Sequence, residues 1–485
     1  MKYCCLCLSI MLSLAACGKD NNETEDNYLT SACKNFPAPT IKAATNIAGP
    51  TSEPNSCRLP IKQSSLPISR VQNLGTHTVG DDVAFTIPKN TASFSIVLQA
   101  VDASIDYLTF ADNNQSIEIP NYVVPLYIYD PSFSVFYNDT LIVSQPVEAD
   151  AYVMSFAQNT GTITFPNTAA TINDWKTNGA PSGTWHLTVS DWAYECAKFG
   201  TEIGCVSSGS TTNTYEVTVI LGQSTPVANA KSIDIRFYLV TNNYTAASAV
   251  KDVGVLRMVS TLEKIYTAAG LCINNVTFVN VVDWAKEKYA TGIDESELDP
   301  CDDFGQLFTL SESGNALNFF LVDDIHQSSG STISTTVGID GSIPGPSSVG
   351  GTVNSGAVVN AADIGAGICS NKLDFLDCGA DKVAYITAHE GAHWMGLYHT
   401  TESTGDMHDP LTDTLYCECS KCAPANQKDN CGVMADEPYI LTDKDCISYE
   451  CGGSNNLMFW LLGEASKAQL TSQQGQVMRL NPVAY

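Results

Sequence analysis

The most informative stretch of the sequence spans residues 389–399 and reads His389-Glu390-Gly391-Ala392-His393-Trp394-Met395-Gly396-Leu397-Tyr398-His399. It follows apolar residues that suit a buried helix, and residues four positions apart on a helix share one face. The first two histidines therefore direct their imidazoles toward the same point. The glycine can end the helix in a left-handed turn, which lets the chain return a third imidazole to that point.

Three neutral imidazoles that leave a fourth position open are typical of a catalytic zinc site, whereas structural zinc sites have four protein ligands. Glu390 follows the first histidine and reaches the same space, where it can act as a general base. The chain has only 7 histidines, so three of them at this spacing form a specific pattern. The alternatives are solvated histidines at a helix end and a zinc site without catalysis, and the presence of Glu390 disfavours the second.

The pattern His389-Glu390-x-x-His393-x-x-Gly396-x-x-His399 resembles the signature of the metzincin zinc metallopeptidases, most closely their pappalysin-like branch. The resemblance covers residues 231–485. It implies hydrolysis of peptide bonds by a zinc-activated water, with Glu390 as the base. No cysteine-switch motif of the matrix-protease type accompanies it, so the resemblance does not indicate how such an enzyme would be kept latent.

Metzincins also have a methionine turn beneath the zinc, and two methionines are candidates for it. Met458 is the first choice because it precedes a predicted last helix that begins with the capping box Thr471-Ser472-Gln473-Gln474. Met434 is the second choice, and a methionine that fills the core is the alternative for either. Trp460 stands where astacin-like members have a tyrosine that can bind zinc, so a tyrosine ligand is not predicted.

An acidic loop follows the zinc motif and is similar to an acidic stretch of pappalysin relatives. Asp406, Asp409 and Asp413 place several carboxylate oxygens close together, which suits a calcium ion. A solvated acidic loop is the alternative. His408 lies in the same loop and is predicted to be a surface residue rather than a fourth zinc ligand.

The amino terminus predicts export. Lys2 precedes a short apolar run, and Leu14-Ala15-Ala16-Cys17 resembles the lipobox of bacterial lipoproteins, in which Cys17 would carry the lipid. The alternative is an ordinary secretory signal. No later run approaches 18 apolar residues, so a lipid is the only membrane attachment predicted. We therefore expect an exported bacterial lipoprotein on the outer membrane, at its periplasmic face or at the cell surface.

The cysteine content agrees with export, because 18 cysteines are too many for a typical reducing cytosol. Setting aside three in the signal and Cys17 leaves an even number, which suits disulfide pairing. Neighbours in sequence suggest four pairs: Cys33–Cys57, Cys196–Cys205, Cys272–Cys301 and Cys369–Cys378. Six more cysteines lie between Cys417 and Cys451 with open connectivity, and disulfides are preferred there over a zinc site at Cys417-x-Cys419-x-x-Cys422.

The charge balance excludes one class of partner. Lys and Arg total 24 against 52 Asp and Glu, a net charge of −28, which would repel nucleic acid. Hydrophobic residues make up 44% of the chain, enough for a sizeable core. The predicted partner is a protein or peptide substrate, and the sequence does not indicate an oligomeric state.

The organisation predicted along the chain is multidomain. Residues 1–16 form a lipoprotein signal peptide, and residues 17–70, rich in proline and polar residues, form a flexible spacer. Residues 71–224 alternate apolar and polar side chains between turns, as in an antiparallel β-sandwich. Within them Gly183–Asp191 resembles the jelly-roll P domains that accompany some secreted proteases. Residues 231–485 form an α/β metallopeptidase domain with a mixed sheet.

Within residues 231–485, four stretches carry the predicted α/β pattern. Ile233–Val240, Leu317–Val322 and Ala357–Val359 are strands, and Leu256–Ala269 is a helix. We expect a substrate to pair with an edge strand near residues 355–360. A loop rich in Gly, Pro and Ser precedes this strand, and the two alternatives for it are a wall of the cleft and a surface connector.

The sequence thus predicts a zinc-dependent endopeptidase held at a bacterial membrane by a lipid. A second hypothesis is a surface binding or adhesion lipoprotein in which the β-sandwich is active and the metal domain is vestigial. Against it, neither Glu390 nor a ligand histidine has been lost. An esterase or amidase that uses the same metal is a third hypothesis.

Overall fold

The structure is a computed structural model, and it describes residues 33, 35–53, 66, 70–101, 116–138, 157–158, 160–199, 202–209, 213–222, 230–294, 303–326, 337–432, 438–448 and 452–485. Several predictions concern residues outside these ranges. They are the signal segment with Cys17, the second methionine Met434, and the cysteines Cys57, Cys301 and Cys451.

The strands of the described residues are numbered in chain order: β1 (Thr40–Ala48), β2 (Val71–Thr78), β3 (Asp82–Ile87), β4 (Phe94–Ala100), β5 (Ser116–Tyr129), β6 (Val135–Asn138), β7 (Ala157–Gln158), β8 (Thr160–Phe165), β9 (Gly183–Phe199), β10 (Glu202–Gly209), β11 (Thr214–Leu221), β12 (Lys231–Leu239), β13 (Leu271–Val281), β14 (Ile293–Asp294), β15 (Ala316–Val322), β16 (Ile325–His326), β17 (Gly338–Asp340) and β18 (Ala357–Asn360). The α-helices are α1 (Ala169–Asn178), α2 (Ala246–Ala249), α3 (Val253–Ala268), α4 (Asp283–Tyr289), α5 (Asp303–Phe308), α6 (Gly379–Trp394), α7 (Cys419–Cys422), α8 (Asp443–Ser448) and α9 (Ser472–Leu480). Two short 3₁₀ helices lie at Ala362–Gly365 and Lys428–Asn430.

The second half of the chain is built on a mixed six-stranded sheet. Its order is β1-β13-β12-β15-β18-β17, with every pair parallel except β17 against β18. β15 is buried along its whole length, as expected for a continuous apolar run in the middle of a sheet. The predicted strands at 233–240, 317–322 and 357–359 and the predicted helix at 256–269 are confirmed as β12, β15, β18 and α3.

Helices cover both faces of this sheet because side chains alternate along each strand. Ile235, Phe237 and Leu239 of β12 point into a core with α3 and α6. Tyr238 of the same strand points to the opposite face, into a core with α4 and α5. The result is an α/β layer that holds α6, the helix of the predicted zinc motif, against the sheet.

The first half of the chain forms two antiparallel sheets that share one core. One sheet has the order β2-β11-β4-β8, and the other contains β10-β9-β5-β6 with β3 and β7 at its side. Aromatic side chains fill the space between them, with Trp185 and Phe94 fully buried. The multidomain architecture with antiparallel sheets and a mixed α/β sheet is therefore present. The jelly-roll topology and the domain boundaries stay predictions.

The two halves of the chain are in direct contact. The backbone N–H of Ala169, at the start of α1, donates to the carbonyl of Pro410, 3.0 Å away. The side-chain amide of Asn354 donates to the carbonyl of Thr160, 3.1 Å away. The antiparallel half thus packs on the loop that follows the zinc motif.

Part of the predicted flexible spacer, residues 17–70, is not a spacer. β1 pairs in parallel with β13, and Ile41 and Ala43 pack on the core of the α/β half. A disulfide between Cys33 and Cys272 joins the same segment to the start of β13. The prediction failed because the strand gains its hydrogen bonds and burial from a partner more than 200 residues away, which local composition cannot reveal.

The disulfides correct several predicted pairs. Cys369–Cys378 is confirmed, but Cys33 pairs with Cys272, so the predictions Cys33–Cys57 and Cys272–Cys301 are wrong. Cys196 and Cys205 are register partners on β9 and β10, although their side chains are not described. In the later cluster Cys417 pairs with Cys422 and Cys419 with Cys431, so these cysteines form disulfides rather than a zinc site. Within the part of the chain that is described, no helix is long and apolar enough to cross a membrane.

Candidate metal centre

Helix α6 positions the first two histidines and the glutamate of the motif. The helix is buried from Val383 to its end, and His389, Glu390 and His393 lie on the side that lines a cleft of about 680 Å³. The helix ends where Gly396 adopts a φ of +106°. Two hydrogen bonds close this end. The N–H of Gly396 donates to the carbonyl of His393, and the N–H of Leu397 donates to the carbonyl of Ala392. This reversal brings the chain back at His399.

The three imidazoles converge on one point. Their Nε2 atoms are separated by 3.0 Å between His393 and His389, 3.1 Å between His393 and His399, and 3.2 Å between His389 and His399. Nitrogen ligands at about 2.0–2.1 Å from one tetrahedral zinc ion would be separated by nearly this much. Among the described residues, this is the one group of three or more His, Cys, Asp or Glu residues close enough to hold a metal ion.

Each imidazole is oriented through its other nitrogen. Nδ1 of His389 lies 2.7 Å from the carbonyl of Leu457, and Nδ1 of His393 lies 2.7 Å from the carbonyl of Leu397. Nδ1 of His399 lies 3.0 Å from both carboxylate oxygens of Glu402. Since all three partners are acceptors, each Nδ1 carries the proton, and each Nε2 presents a lone pair to the common point.

The electrostatic environment keeps two of the histidines in their ligand form. Burial, reinforced by His399, lowers the pKa of His389 to about 3. Burial and the two neighbouring histidines lower the pKa of His393 well below its ordinary value. Both rings are therefore neutral near pH 7. The donor set, its spacing and its protonation fit a zinc ion held by three histidines, with a fourth position open.

Glu390 lines the same cleft as the three histidines and lies against β17. Burial raises the pKa of its carboxyl group well above the ordinary value, and the nearby Asp340 adds to this effect. The backbone N–H of Asp340 donates to the carboxylate and opposes the rise. Burial also raises the pKa of Asp340 itself to about 7. Contact with β17 is close, because a Cβ added to Gly338 would lie 2.7 Å from Oε1 of Glu390.

The cleft is lined by β17, by α6 and by the residues that follow the predicted methionine turn. Its lining includes Gly338 and Asp340, Tyr385 and Ile386, and residues 459–462. The predicted edge strand at 355–360 is wrong in position. β18 has partners on both sides, and the strand at this end of the sheet is β17.

Met458 is fully buried in the segment that orients the site. Its carbonyl accepts a hydrogen bond from the N–H of Thr400, next to His399, at 2.9 Å. The predicted capping box at Thr471 is present at the start of α9. Trp460 lines the cleft, but its indole N–H donates to the carbonyl of Leu441 at 3.0 Å, so its polar atom has a partner other than the histidines.

The three aspartates predicted to bind calcium do not form one ligand cluster. Asp409 is buried and accepts a hydrogen bond from Thr414. Asp413 accepts the backbone N–H of Gln473 at the start of α9, and Asp406 bonds to Thr404. His408 stacks on Tyr416 with ring centroids 4.2 Å apart and lies outside the histidine group, as predicted.

Sequence reasoning missed Glu402, Gly338 and Asp340. The role of Glu402 could have been predicted from the local sequence, because a carboxylate three residues after a ligand histidine can reach the Nδ1 of that histidine. No local sequence pattern predicts the role of Gly338 and Asp340, since it depends on the contact between β17 and α6 in the tertiary fold.

No protein-family model matches the chain, and no curated protein matches it. Among solved structures, the chain is similar to the crystal structure of metalloproteinase-II from Bacteroides fragilis, at 9% sequence identity and with a TM-score of 0.21. The match covers 47% of this chain and 75% of that chain. A TM-score this low does not assign a shared fold, so the interpretation of the site depends on the residues described above.

Proposed function

We propose that this chain is a zinc-dependent endopeptidase. The observation that supports the proposal is the convergence of the Nε2 atoms of His389, His393 and His399 to within 3.2 Å of one another, in a cleft that Glu390 also lines. Zinc held by these three imidazoles would lower the pKa of a water molecule toward about 7 and polarise a substrate carbonyl.

Glu390 is the proposed general base. One carboxylate oxygen accepts the proton of the attacking water, and the same group then delivers it to the nitrogen of the leaving amine. Burial raises the pKa of Glu390, which makes its carboxylate a stronger base toward the attacking water. The backbone N–H of Asp340 restricts where this carboxylate lies.

The substrate is proposed to bind as an extended strand along β17. β17 is the last strand of its sheet, and two of its residues line the cleft beside Glu390. Backbone hydrogen bonds to an exposed strand edge hold a polypeptide independently of its side chains. This mode of binding favours peptides over small esters, and it distinguishes the proposal from an esterase or amidase that uses the same metal.

Membership of the pappalysin-like branch of the metzincins, a lipid on Cys17 and a location at the outer membrane or cell surface are parts of the same proposal. They are supported by the motif at 389–399 and by the lipobox-like Leu14-Ala15-Ala16-Cys17. Incorporation of a labelled fatty acid that is lost in Cys17→Ala would support the anchor, and an unlabelled parent protein would contradict it.

We also propose a calcium site, which fewer observations support than the zinc site. The oxygens Asp409 Oδ2 and Asp413 Oδ1 are buried and have no partner at hydrogen-bond geometry. Burial raises the pKa of Asp409 to about 7, the charge of Asp413 adds to this rise, and hydrogen bonds from Thr414 and Gln474 oppose it. A hard cation between these two oxygens would supply the missing partner. Asp406 is not needed for this arrangement.

Hydrolysis of a peptide library with and without a zinc chelator tests the proposed function. We expect cleavage that the chelator abolishes and that added zinc restores. Binding of surface ligands without any cleavage, by a protein that holds zinc, would instead support an adhesion lipoprotein that acts through its antiparallel half.

Replacing Glu402 by glutamine is expected to weaken zinc binding by about 10- to 100-fold, because a charged partner of His399 Nδ1 becomes neutral. The dissociation constant is measured by competition with a chromophoric chelator. Glu418→Gln is the control, since Glu418 pairs with Lys421 rather than with one of the three proposed ligand histidines. Equal affinity of the Glu402 variant and the parent would contradict the assigned role.

Replacing Gly338 by alanine is expected to lower kcat by about 10- to 100-fold while zinc stays bound, because the new Cβ would displace the carboxylate of Glu390. Gly365→Ala is the control, since a Cβ there meets nothing within 4 Å. Single-turnover cleavage and zinc content are measured together. An unchanged kcat would show that the position of Glu390 does not depend on β17.

A further inference from the structure

Residues 456–458 connect two of the three proposed zinc ligands. The carbonyl of Leu457 accepts the Nδ1 proton of His389 at 2.7 Å. The carbonyl of Met458 accepts the N–H of Thr400, the residue after His399, at 2.9 Å. The position of this short segment therefore sets the orientation of one ligand ring and the backbone next to another. The segment belongs to no helix or named strand. Backbone hydrogen bonds hold it, among them the one from the N–H of Leu457 to the carbonyl of Gln469 at 2.7 Å, and side chains add to them.

The side chain of Asn456 holds the peptide unit between Leu457 and Met458 directly. Its Oδ1 accepts the backbone N–H of Met458 at 2.8 Å. Its amide also pairs with that of Gln474, from Asn456 Nδ2 to Gln474 Oε1 at 2.9 Å and from Gln474 Nε2 to Asn456 Oδ1 at 3.2 Å. Both residues are buried, with 6% and 0% of their surfaces exposed. The two amides have one orientation, because the N–H groups of Met458 and Thr471 each require the oxygen of one amide, and turning either amide alone would place two donors or two acceptors together.

Helix α9 holds Gln474 in turn. Gln474 is the third residue of the helix, and its Oε1 also accepts the N–H of Thr471 at 2.9 Å. The hydroxyl of Thr471 accepts the N–H of Gln474 at 3.2 Å, which completes the capping box. The same side-chain oxygen thus serves the helix start and the pair with Asn456. Gln474 cannot rotate away from Asn456 without also breaking the helix cap.

We infer that Gln474 is a positioning residue of the zinc site, acting through Asn456 and the carbonyl of Leu457 on His389. The inference rests on the proposed zinc site. Partners beyond the direct ligands orient the ligand rings, and their loss typically weakens metal binding by about 10- to 100-fold. Here the chain of contacts is continuous, from the start of α9 to the ring of His389.

Three variants test this role. Gln474→Met keeps the size of the side chain but removes its amide, whereas Gln474→Glu keeps an oxygen for Thr471 and Asn456. Gln476→Met is the control on the same helix, because Gln476 contacts Ser472 and not Asn456. Zinc affinity is measured by chelator competition, ligand geometry by the visible spectrum of the cobalt-substituted proteins, and stability by thermal unfolding of the metal-free proteins.

We expect zinc affinity to fall by about 10- to 100-fold in Gln474→Met, to fall less in Gln474→Glu and to stay unchanged in Gln476→Met. The cobalt spectrum should change in Gln474→Met alone. A Gln474→Met protein that unfolds at a lower temperature yet binds zinc as tightly as the parent would overturn the inference, since the residue would then serve only stability.

If Gln474→Met does not fold, Asn456→Asp removes the donor to Gln474, and unchanged zinc affinity in that variant would overturn the inference as well. A parent that binds no zinc would instead refute the proposed function.

Discussion

Glu390→Ala is expected to lower kcat for peptide hydrolysis by about 10²- to 10⁴-fold, the usual contribution of a general base. The variant should still bind zinc, because the three Nε2 atoms and the acceptors of their Nδ1 protons are untouched. Removal of a buried carboxyl group with a raised pKa should also leave the fold intact, since this group costs free energy to ionise where it lies.

The measurement pairs steady-state cleavage of a peptide from the library with the zinc content of the same protein sample. Glu287→Ala is the matched control, because Glu287 lies exposed on α4, a helix packed on the opposite face of the sheet from α6. Its kcat should equal that of the parent. If Glu390→Ala cleaves peptides as fast as the parent, the proposed mechanism is wrong. If the Glu390→Ala protein also loses zinc, its loss of activity cannot be attributed to proton transfer by Glu390.

The parts of the site that could be predicted from sequence are those set by local geometry. His389 and His393 share a face because they are one helical turn apart, and Gly396 permits the reversal that returns His399. The buried strands β12, β15 and β18 were recognisable from their apolar runs for the same reason. In each case the deciding residues lie within a few positions of one another.

The parts that could not be predicted depend on partners far apart in the chain. β1 is a strand only because β13 offers it hydrogen bonds, and Cys33 pairs with Cys272 rather than with its neighbour Cys57. β17 has three residues, too few for a periodic pattern, yet it confines Glu390. Such contacts follow from how the layers pack, and composition within a window carries no information about them.

A buried ion pair at the start of α6 belongs to this second group. The guanidinium of Arg257 on α3 donates two hydrogen bonds of 2.7 Å to the carboxylate of Asp381, whose side chain is fully buried. Asp381 also accepts the hydroxyl of Thr261 at 2.6 Å and the backbone N–H of Asp374 at 3.0 Å. The carboxylate therefore joins α3, α6 and the disulfide-closed loop Cys369–Cys378.

Asp381→Asn is expected to lower the free energy of unfolding at neutral pH by about 1.5–3 kcal/mol, because it removes the charge-assisted hydrogen bonds from the partly exposed Arg257. The effect depends on pH. Burial alone would raise the pKa of Asp381, but the hydrogen bonds from Arg257, Thr261 and Asp374 outweigh burial and lower it. The stabilisation is thus fully present above the pKa of an unfolded aspartate, about 3.9, and is lost as the pH falls through the lower folded value.

Denaturant unfolding of the parent and the variant between pH 3 and pH 7 measures this difference. The gap in unfolding free energy should be constant near neutrality and should narrow below about pH 4, because the unfolded parent begins to protonate this carboxylate there while the folded parent does not. Asp363→Asn is the control, since the ion pair of Asp363 with Lys382 is partly exposed and should contribute less than about 1 kcal/mol. A gap for Asp381→Asn as small as that of the control would mean that the buried pair does not stabilise the start of α6. A gap that stays constant down to pH 3 would mean that the pKa of Asp381 does not differ between the folded and the unfolded parent.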